Sequence, residues 1–242
     1  MATVTDFYNE QWGSSEGIAQ YNRILLMLSL AIECSYRYVG DVRGKRVLDL
    51  GCGFGQQTFY FAQRGAEVWA VDISLECLEY ITTEADRQHI KRIRVVAKSA
   101  ESLDFAEQSF DVIYINSLLM HVDAMTVLQD CYRLLAPSGK VVVIEPMKYN
   151  VMMLVRLFSS YRKMKPKYMT FRRFEKCGKY FSSVRHSEFY FFSLLSLPLF
   201  YVFSAENAGR VSRVLERVDR GVFFVFPFLR KLSWASVWEF GK

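Results

Sequence analysis

The sequence predicts an α/β fold with a Rossmann-like, mainly parallel sheet, and three observations lead to this prediction. Short runs rich in valine and isoleucine alternate with amphipathic helical segments. Strands that are apolar along their whole length are typical of a parallel sheet covered by helices on both faces. A glycine-rich turn follows the first run, and an acidic residue ends the second. We therefore expect a ligand site at the carboxyl ends of the strands.

The first 146 residues contain the regular alternation. Strands are predicted at Arg46–Leu50, Glu67–Val71, Ile93–Ala97, Phe110–Ile115 and Lys140–Ile144, with helices between them at Gln56–Arg64, Leu75–Arg87 and Ala124–Leu135. An earlier helix with one apolar face is predicted at Ile18–Tyr38. We expect three regions: N-terminal cap helices in residues 1–43, the ligand-binding core in 44–146, and a substrate-binding or lid region in 147–242 that completes the sheet.

The alternation ends after Pro146. The pattern there predicts a helix at Met147–Arg162, a strand at Ser182–Phe192, a helix at Ala205–Asp219 and a last strand at Ser236–Phe240. The 15-residue apolar run Phe189–Phe203 contains Pro198. It is shorter than the ~20 residues that a membrane-spanning helix needs. We interpret it as part of a lid over the site, with a membrane-surface element as the alternative.

Charge and cysteine content limit the partners and the compartment. Residues 1–146 hold 13 Lys and Arg against 19 Asp and Glu, whereas residues 147–242 hold 18 against 6. The basic C-terminal part either meets an anionic partner or is a solvated basic face. The 5 cysteines are scattered, without the spacing of a zinc site. They indicate free thiols and no metal, and the N-terminus lacks a signal pattern, so we expect a cytoplasmic protein.

The glycine-rich turn is the motif that carries the chemistry. Gly51, Gly53 and Gly55 follow the first strand and open a helix, and Asp72 ends the second strand. Glycines let the backbone turn sharply and approach a ligand, and a carboxylate at the next strand end accepts hydrogen bonds from ribose hydroxyls. A dinucleotide-binding dehydrogenase is the alternative. The spacing GxGxG, the acid Asp49 before the turn and the lack of a hydride-transfer set argue against it.

The segment Arg46–Gly55 resembles the class I S-adenosylmethionine-dependent methyltransferases, particularly the small-molecule branch that includes quinone-biosynthesis enzymes. The resemblance covers roughly residues 44–146 and continues through Ser99–Phe105, Ser109–Ile113 and the turn Leu134–Lys140. It implies a seven-stranded sheet with helices on both faces, its last strand antiparallel, and a C-terminal lid insertion. It also implies S-adenosylmethionine as the cofactor. The cofactor residues that it implies are Asp49, Gly51, Cys52, Gly53, Asp72, Ile73, Ala100, Glu101, Asn116 and Ser117, with Tyr8 and Tyr21 closing over the cofactor.

The acceptor side is predicted less directly. His121 follows the fourth strand, and its imidazole is a candidate general base because histidine titrates near neutral pH. Trp12, Tyr149, His186 and Tyr190 are the candidate substrate-binding residues. The aromatic C-terminal third favours a small hydrophobic or amphipathic acceptor that is methylated on O, N or C. An RNA or protein methyltransferase and a non-catalytic cofactor-binding protein remain alternatives. We expect no DNA partner, and peripheral membrane contact and a homodimer stay open.

Overall fold

A seven-stranded sheet forms the centre of the protein. The computed structural model describes residues 24–150 and 167–242. The strands are β1 (Arg46–Leu50), β2 (Glu67–Asp72), β3 (Ile93–Ala97), β4 (Phe110–Asn116), β5 (Leu135–Pro146), β6 (Ser183–Phe189) and β7 (Ala235–Gly241). Their order across the sheet is β3-β2-β1-β4-β5-β7-β6.

The strand directions confirm the predicted fold class. β1 to β5 pair in parallel, and β7 runs antiparallel to both β5 and β6. The carboxyl ends of β1 to β5 therefore share one edge of the sheet, which we call the carboxyl edge. Phe189, at the end of β6, lies in register with Ala235 and hence with Pro146, so β6 also ends at this edge.

Helices cover both faces of the sheet. They are α1 (Ser29–Val39), α2 (Gln56–Gln63), α3 (Leu75–Arg87), α4 (Ala124–Leu134), α5 (Phe171–Gly178), α6 (Leu199–Val202) and α7 (Ala205–Val225). One core cluster joins α4 and α5 to the sheet through residues such as Leu128 and Phe174. The other joins α1, α2 and α7 through residues such as Phe61 and Ala208. Among the described helices, none is long and apolar enough to cross a membrane.

Most predicted elements agree with the structure, and the differences have local causes. The predicted strand Ser182–Phe192 ends at Phe189, because Tyr190 adopts a left-handed φ of 68° that breaks the pairing. The predicted helix Ala205–Asp219 extends to Val225. Residues 147–150 form a bridge and bends instead of the start of a helix, and most of the predicted helix Met147–Arg162 lies outside the described residues.

Residues 190–234 form an insertion between β6 and β7 at the carboxyl edge. Asp219 of α7 is buried, and its carboxylate accepts hydrogen bonds from the N–H groups of Phe191, Phe192 and Ser193 and from the Ser193 hydroxyl. A further buried contact joins the hydroxyls of Ser196 and Ser212 at 2.6 Å. These bonds fix the start of the insertion against α7. The position agrees with the predicted lid insertion, and closure over the site stays a prediction.

Candidate functional site

The glycine-rich turn lies at the point where the strand order of the sheet reverses. β1 is flanked by β2 on one side and β4 on the other, so the connections leave in opposite directions here. Crevices at such switch points are the usual ligand sites of open α/β sheets. Gly51, Gly53 and Gly55 have φ values of 73°, 50° and 77°, a region that favours glycine. The turn is therefore built from conformations that the sequence pattern predicts.

Gly51 and Gly55 are also required by close packing. A Cβ on Gly51 would lie 3.1 Å from the side chain of Leu118, in the loop after β4. A Cβ on Gly55 would lie 2.7 Å from Cγ1 of Ile81 in α3. The glycines thus allow the turn to sit against both neighbouring elements. The loop after β4 and the glycine turn together form the floor of the candidate site.

Asp72 is held rigidly beside this turn. Its Oδ2 accepts the N–H of Gly53 at 2.9 Å, and its Oδ1 accepts the N–H of Ser74 at 2.9 Å. Each carboxylate oxygen can accept a further hydrogen bond. The half-buried carboxylate is therefore oriented in advance for two hydroxyl groups of a ligand. Ser74 also caps α3 by accepting the N–H of Cys77.

Asp49 lies below the turn and is nearly fully buried. Its Oδ2 accepts the hydroxyl of Thr58 at 2.6 Å. Burial raises the pKa of Asp49 to about 7, and the negative charge of Asp72 raises it further, whereas hydrogen bonds from Thr58 lower it. Asp49 can therefore exchange a proton near neutral pH. Cys52 is buried as well, so it offers its backbone to the site, and its thiol packs with Ile81.

The loop after β4 is positioned by a buried acid of β5. Ser117 adopts a φ of 58°, and its N–H donates to the carbonyl of Ile144 at 2.8 Å. Glu145 is fully buried, and its Oε1 accepts the N–H of Leu119 at 2.5 Å. Burial raises the pKa of Glu145 to about 8, although the N–H groups of the loop lower it. Asn116 and Ser117 thus stand at the carboxyl edge next to the glycine turn.

The remaining predicted cofactor residues lie around the same edge. The side chain of Ile73 is 46% exposed directly after β2, which leaves it free to contact a ligand. Ala100 is buried, and Glu101 is exposed with its Oε1 accepting the N–H of Asp123 at 2.7 Å. His121 closes the turn after β4 with its N–H donating to the carbonyl of Leu118 at 2.9 Å. These residues therefore follow the carboxyl ends of β2, β3 and β4, on both sides of β1.

Comparisons with known proteins identify the matched part of the chain. Residues 48–143 match the family described as a methyltransferase domain. The match covers less than half of this chain, and it contains the glycine turn and Asp72. Over 111 residues this chain is 35% identical to demethylmenaquinone methyltransferase of Lactococcus lactis, covering 44% of each chain. Over 100 residues it is 35% identical to ubiquinone biosynthesis O-methyltransferase of Psychrobacter cryohalolentis, covering 40% of this chain and 38% of the relative. The matched stretch thus spans less than half of either relative.

A solved structure shows the same fold over the whole chain. Phosphoethanolamine N-methyltransferase 2 of Haemonchus contortus superposes with a TM-score of 0.71 at 17% identity, covering 100% of this chain and 60% of that one. At this identity the similarity concerns the fold alone. The shared fold therefore also includes the region after the matched residues 48–143.

Two predicted substrate-binding residues make packing contacts within the described structure. Tyr190 is buried, and its hydroxyl accepts the N–H of Leu30 in the first turn of α1 at 3.1 Å. His186 lies on the edge strand β6, where its ring stacks on Trp238 and its Nδ1 contacts Glu188 Oε1 at 2.5 Å. β6 is four strands away from β1. Both residues thus pack within the insertion and the sheet edge, and their contact with a substrate stays a prediction.

The other acceptor-side predictions are only partly described. Tyr149 is exposed three residues beyond β5, at the carboxyl edge, and it remains a candidate. Tyr8, Trp12 and Tyr21 lie outside the described residues. The cleft of about 340 Å³ between α1, α2 and α3, lined by Tyr36, Phe54, Tyr60 and Tyr80 among others, includes none of the predicted site residues. We therefore place the site at the strand ends and not in this cleft.

Sequence reasoning missed three residues that support the candidate site. Thr58, Ser74 and Glu145 hold Asp49, Asp72 and the loop after β4, respectively. Ser74 could have been found, because a serine one residue before a helix is a common N-cap. Glu145 carried a weaker signal, since an acid at the end of a strand of valines and isoleucines is buried only when it has partners.

Proposed function

We propose that the whole protein is an enzyme that transfers a methyl group from S-adenosylmethionine to O, N or C of a small hydrophobic or amphipathic metabolite. The observation that supports it most directly is the Asp72 carboxylate, held by the N–H groups of Gly53 and Ser74 beside a glycine turn. This arrangement lies at the switch point of a methyltransferase domain. It provides both the close backbone approach and the two acceptor oxygens that a nucleoside requires.

The residues present fit the proposed cofactor. The backbone of Gly51, Cys52 and Gly53 would line its methionine part, and Asp49 would meet its ammonium group through the backbone or a water molecule. Asp72 would hold the ribose, and Ile73 would pack on the adenine. Ala100 and Glu101 would follow the adenine edge, with Asn116 and Ser117 beside the sulfonium. Tyr8 and Tyr21, which lie outside the described residues, would cover the cofactor.

Methyl transfer requires mainly that the protein orient the reactants and exclude water from the site. When bound, S-adenosylmethionine supplies a methyl group on a positively charged sulfonium. Gly51 packs against Leu118, and Leu119 and Ile115 are fully buried behind the loop, so the floor of the site excludes water. A dry, oriented site favours an in-line displacement because ordering and desolvation supply much of its rate.

His121 is the proposed general base for acceptors that must lose a proton. It closes the turn that begins at Leu118, and Leu118 is the residue packed against Gly51. Imidazole accepts a proton readily near neutral pH. An acceptor amine that is already neutral would not need this step, and a His121→Gln variant should then retain its activity.

The acceptor class is proposed from the insertion and from the relatives. Residues 190–234 are rich in aromatic side chains at the carboxyl edge, and Trp12 and Tyr149 are further candidate contacts. The relatives named above are a demethylmenaquinone methyltransferase and a ubiquinone biosynthesis O-methyltransferase. Residues 1–43 would act as a cap, 44–146 as the cofactor-binding core and 147–242 as the acceptor region. The domain division extends the matched range of 48–143.

The setting of the reaction is also a proposal. Cys34, Cys52, Cys77, Cys131 and Cys177 are all free and buried. Free thiols support a reducing compartment, and we propose the cytoplasm. Peripheral membrane contact and a homodimer are proposed as the assemblies to test.

Calorimetric titration with S-adenosylhomocysteine tests the cofactor assignment. The protein should bind with a micromolar dissociation constant, about −8 kcal/mol. Asp72→Ala removes two charge-assisted hydrogen bonds of about 1.5 kcal/mol or more each, so affinity should fall at least a hundredfold. Asp86→Ala, an exposed change in α3, is the matched control and should bind normally. Equal affinity of the Asp72→Ala and control variants would contradict the ribose role.

A second experiment addresses the acceptor. Purified protein that binds S-adenosylhomocysteine is incubated with labelled S-adenosylmethionine and a set of hydroxylated and aminated aromatic acceptors. Labelled product that requires His121 would support a proton-abstracting transfer. Cofactor binding without transfer to any acceptor would instead favour the non-catalytic alternative.

A further inference from the structure

The helix α7 presents three distinct faces. Its buried face packs against the insertion and α1, with Ala208, Ser212, Asp219 and Phe223 at helical spacing. A second face carries exposed valines at positions 211, 214, 218 and 225, which the 3.6-residue period places in one stripe. Val214 is 58% exposed although it is apolar. Exposed side chains of this kind along a single stripe usually mark an interaction surface.

Further exposed aromatic and aliphatic side chains lie at the two ends of the helix. Phe224 is 86% exposed in the last turn of α7, on the same side of the helix as Arg217 and Arg220; Phe226 follows the helix, and Phe228 lies in the turn Pro227–Leu232. At the other end, Val202 is 75% exposed, next to Tyr201 and Phe203. We call the stripe and these two ends the apolar docking surface. It lies on the insertion that leaves the carboxyl edge after β6.

The third face of α7 is basic and borders the valine stripe. Arg210, Arg213, Arg217 and Arg220 are all exposed there. Arg210 pairs with Glu206 and Arg220 with Glu216, whereas Arg213 and Arg217 form no ion pair with any described residue. Lys231 adds an exposed positive charge close to Phe228 in the chain, whereas Arg230 faces the Glu188 carboxylate at 3.8 Å. An apolar stripe bordered by arginines is the pattern of helices that lie in the plane of an anionic membrane.

We propose that the apolar docking surface and the arginine face of α7 bind the surface of an anionic lipid bilayer. The valines and phenylalanines would enter the region of the acyl chains, and the arginines would meet the lipid phosphates. The charge of this face selects the bilayer over a second copy of the chain, since two copies meeting here would bring their arginine faces together. Membrane binding would give the carboxyl edge access to an apolar acceptor, and only this role rests on the proposed function.

Vesicle co-sedimentation of the full chain tests this surface. The protein should bind vesicles made of phosphatidylcholine and about 30 mol% phosphatidylglycerol. It should bind vesicles of pure phosphatidylcholine much more weakly. Arg213→Gln/Arg217→Gln should lower the partition coefficient for the anionic vesicles about 25-fold, a factor of about five for each arginine. Val214→Gln/Val218→Gln should lower the partition coefficient roughly tenfold, because the transfer of two half-exposed valine side chains from water into the bilayer no longer contributes to binding.

The matched control lies on the opposite face of the sheet. Arg172→Gln/Lys176→Gln removes two exposed positive charges at the same spacing from α5. It should leave vesicle binding within about twofold of the wild type. An equal loss in this control would show that net charge alone attracts the protein, and the docking surface would be rejected.

Two further outcomes would overturn the proposal. Undiminished vesicle binding by both α7 variants would exclude this surface. A wild-type dimer in light scattering that the valine variant converts to a monomer, without lipid binding, would assign the stripe to self-association. S-adenosylhomocysteine binding is measured on the same samples. A protein that does not bind S-adenosylhomocysteine would count against the proposed function. A variant that loses lipid binding but still binds S-adenosylhomocysteine would report on the α7 surface alone.

Discussion

Asp49 should make cofactor binding depend on pH in a specific direction. Burial raises the pKa of its carboxyl from an ordinary 3.8 to about 7 in the free protein. The ammonium group of the proposed cofactor favours the ionised carboxylate. Binding below pH 7 must therefore release a proton from Asp49, and affinity should rise as the pH increases through this value.

The size of the effect follows from the fraction ionised. With a pKa of about 7, roughly nine-tenths of the free protein carries a neutral Asp49 at pH 6, and roughly one-tenth does so at pH 8. Affinity for S-adenosylhomocysteine should thus be about tenfold weaker at pH 6 than at pH 8, or about 1.4 kcal/mol. Calorimetry in two buffers of different ionisation enthalpy should also record close to one proton released at pH 6.

Two variants separate Asp49 from other groups that titrate in this range. Asp49→Asn should bind more weakly at every pH and should lose most of the pH dependence. His121→Gln should retain it, since the imidazole lies on the acceptor side of the proposed site. Affinity that is constant from pH 6 to 8, with no proton released, would refute the reasoning, because Asp49 would then not sense the ligand.

Three further predictions concern the framework that holds the site. Gly55→Ala should lower the free energy of unfolding by about 2 kcal/mol in urea titrations, because φ is 77° and the new Cβ would lie 2.7 Å from Ile81. The control Gly221→Ala, which has open space around it, should raise the free energy of unfolding by up to about 1 kcal/mol. Equal effects of the two variants would contradict the packing argument. Asp219→Ala should cost about 3 kcal/mol and expose the start of the insertion to limited proteolysis, since three N–H groups and the buried Ser193 hydroxyl lose their acceptor. Unchanged cleavage would show that these bonds do not anchor the insertion. Burial raises the pKa of Glu145 from 4.5 to about 8, so its contribution to stability is complete below pH 4.5 and is lost as the pH rises through 8. Relative to wild type, Glu145→Gln should therefore gain about 3 kcal/mol in thermal denaturation between pH 6 and pH 9, and parallel pH profiles of the two proteins would count against a neutral Glu145.

The cofactor half of the site was predictable because its signal is local. The turn needs positive φ angles at positions 51, 53 and 55, and glycine is the residue type that favours them, so the residue types alone indicate the turn. Asp72 comes directly after an apolar run that predicts a strand, so its position at the carboxyl edge of the sheet could be predicted. The strand bounds were likewise predicted within a residue or two for β1 to β4.

The acceptor half was not predictable because it depends on which distant segments meet. Tyr190 and His186 have suitable chemistry for a substrate, but their partners Leu30 and Trp238 are 160 and 52 positions away along the chain. Hydrogen bonding and stacking with those partners give both side chains packing contacts that the sequence did not predict. Residue type alone does not reveal such contacts.

The sequence by itself determined the sheet, the glycine turn and the acid at the end of β2, since hydrophobic period and backbone preference act between near neighbours. Only the tertiary structure decided the state of the buried acids, because desolvation depends on everything packed around a carboxyl group. Asp49 and Glu145 acquire their raised pKa values in this way. The exposed valine stripe of α7 was decided there too, since a helical stripe becomes core or surface according to which face finds a partner.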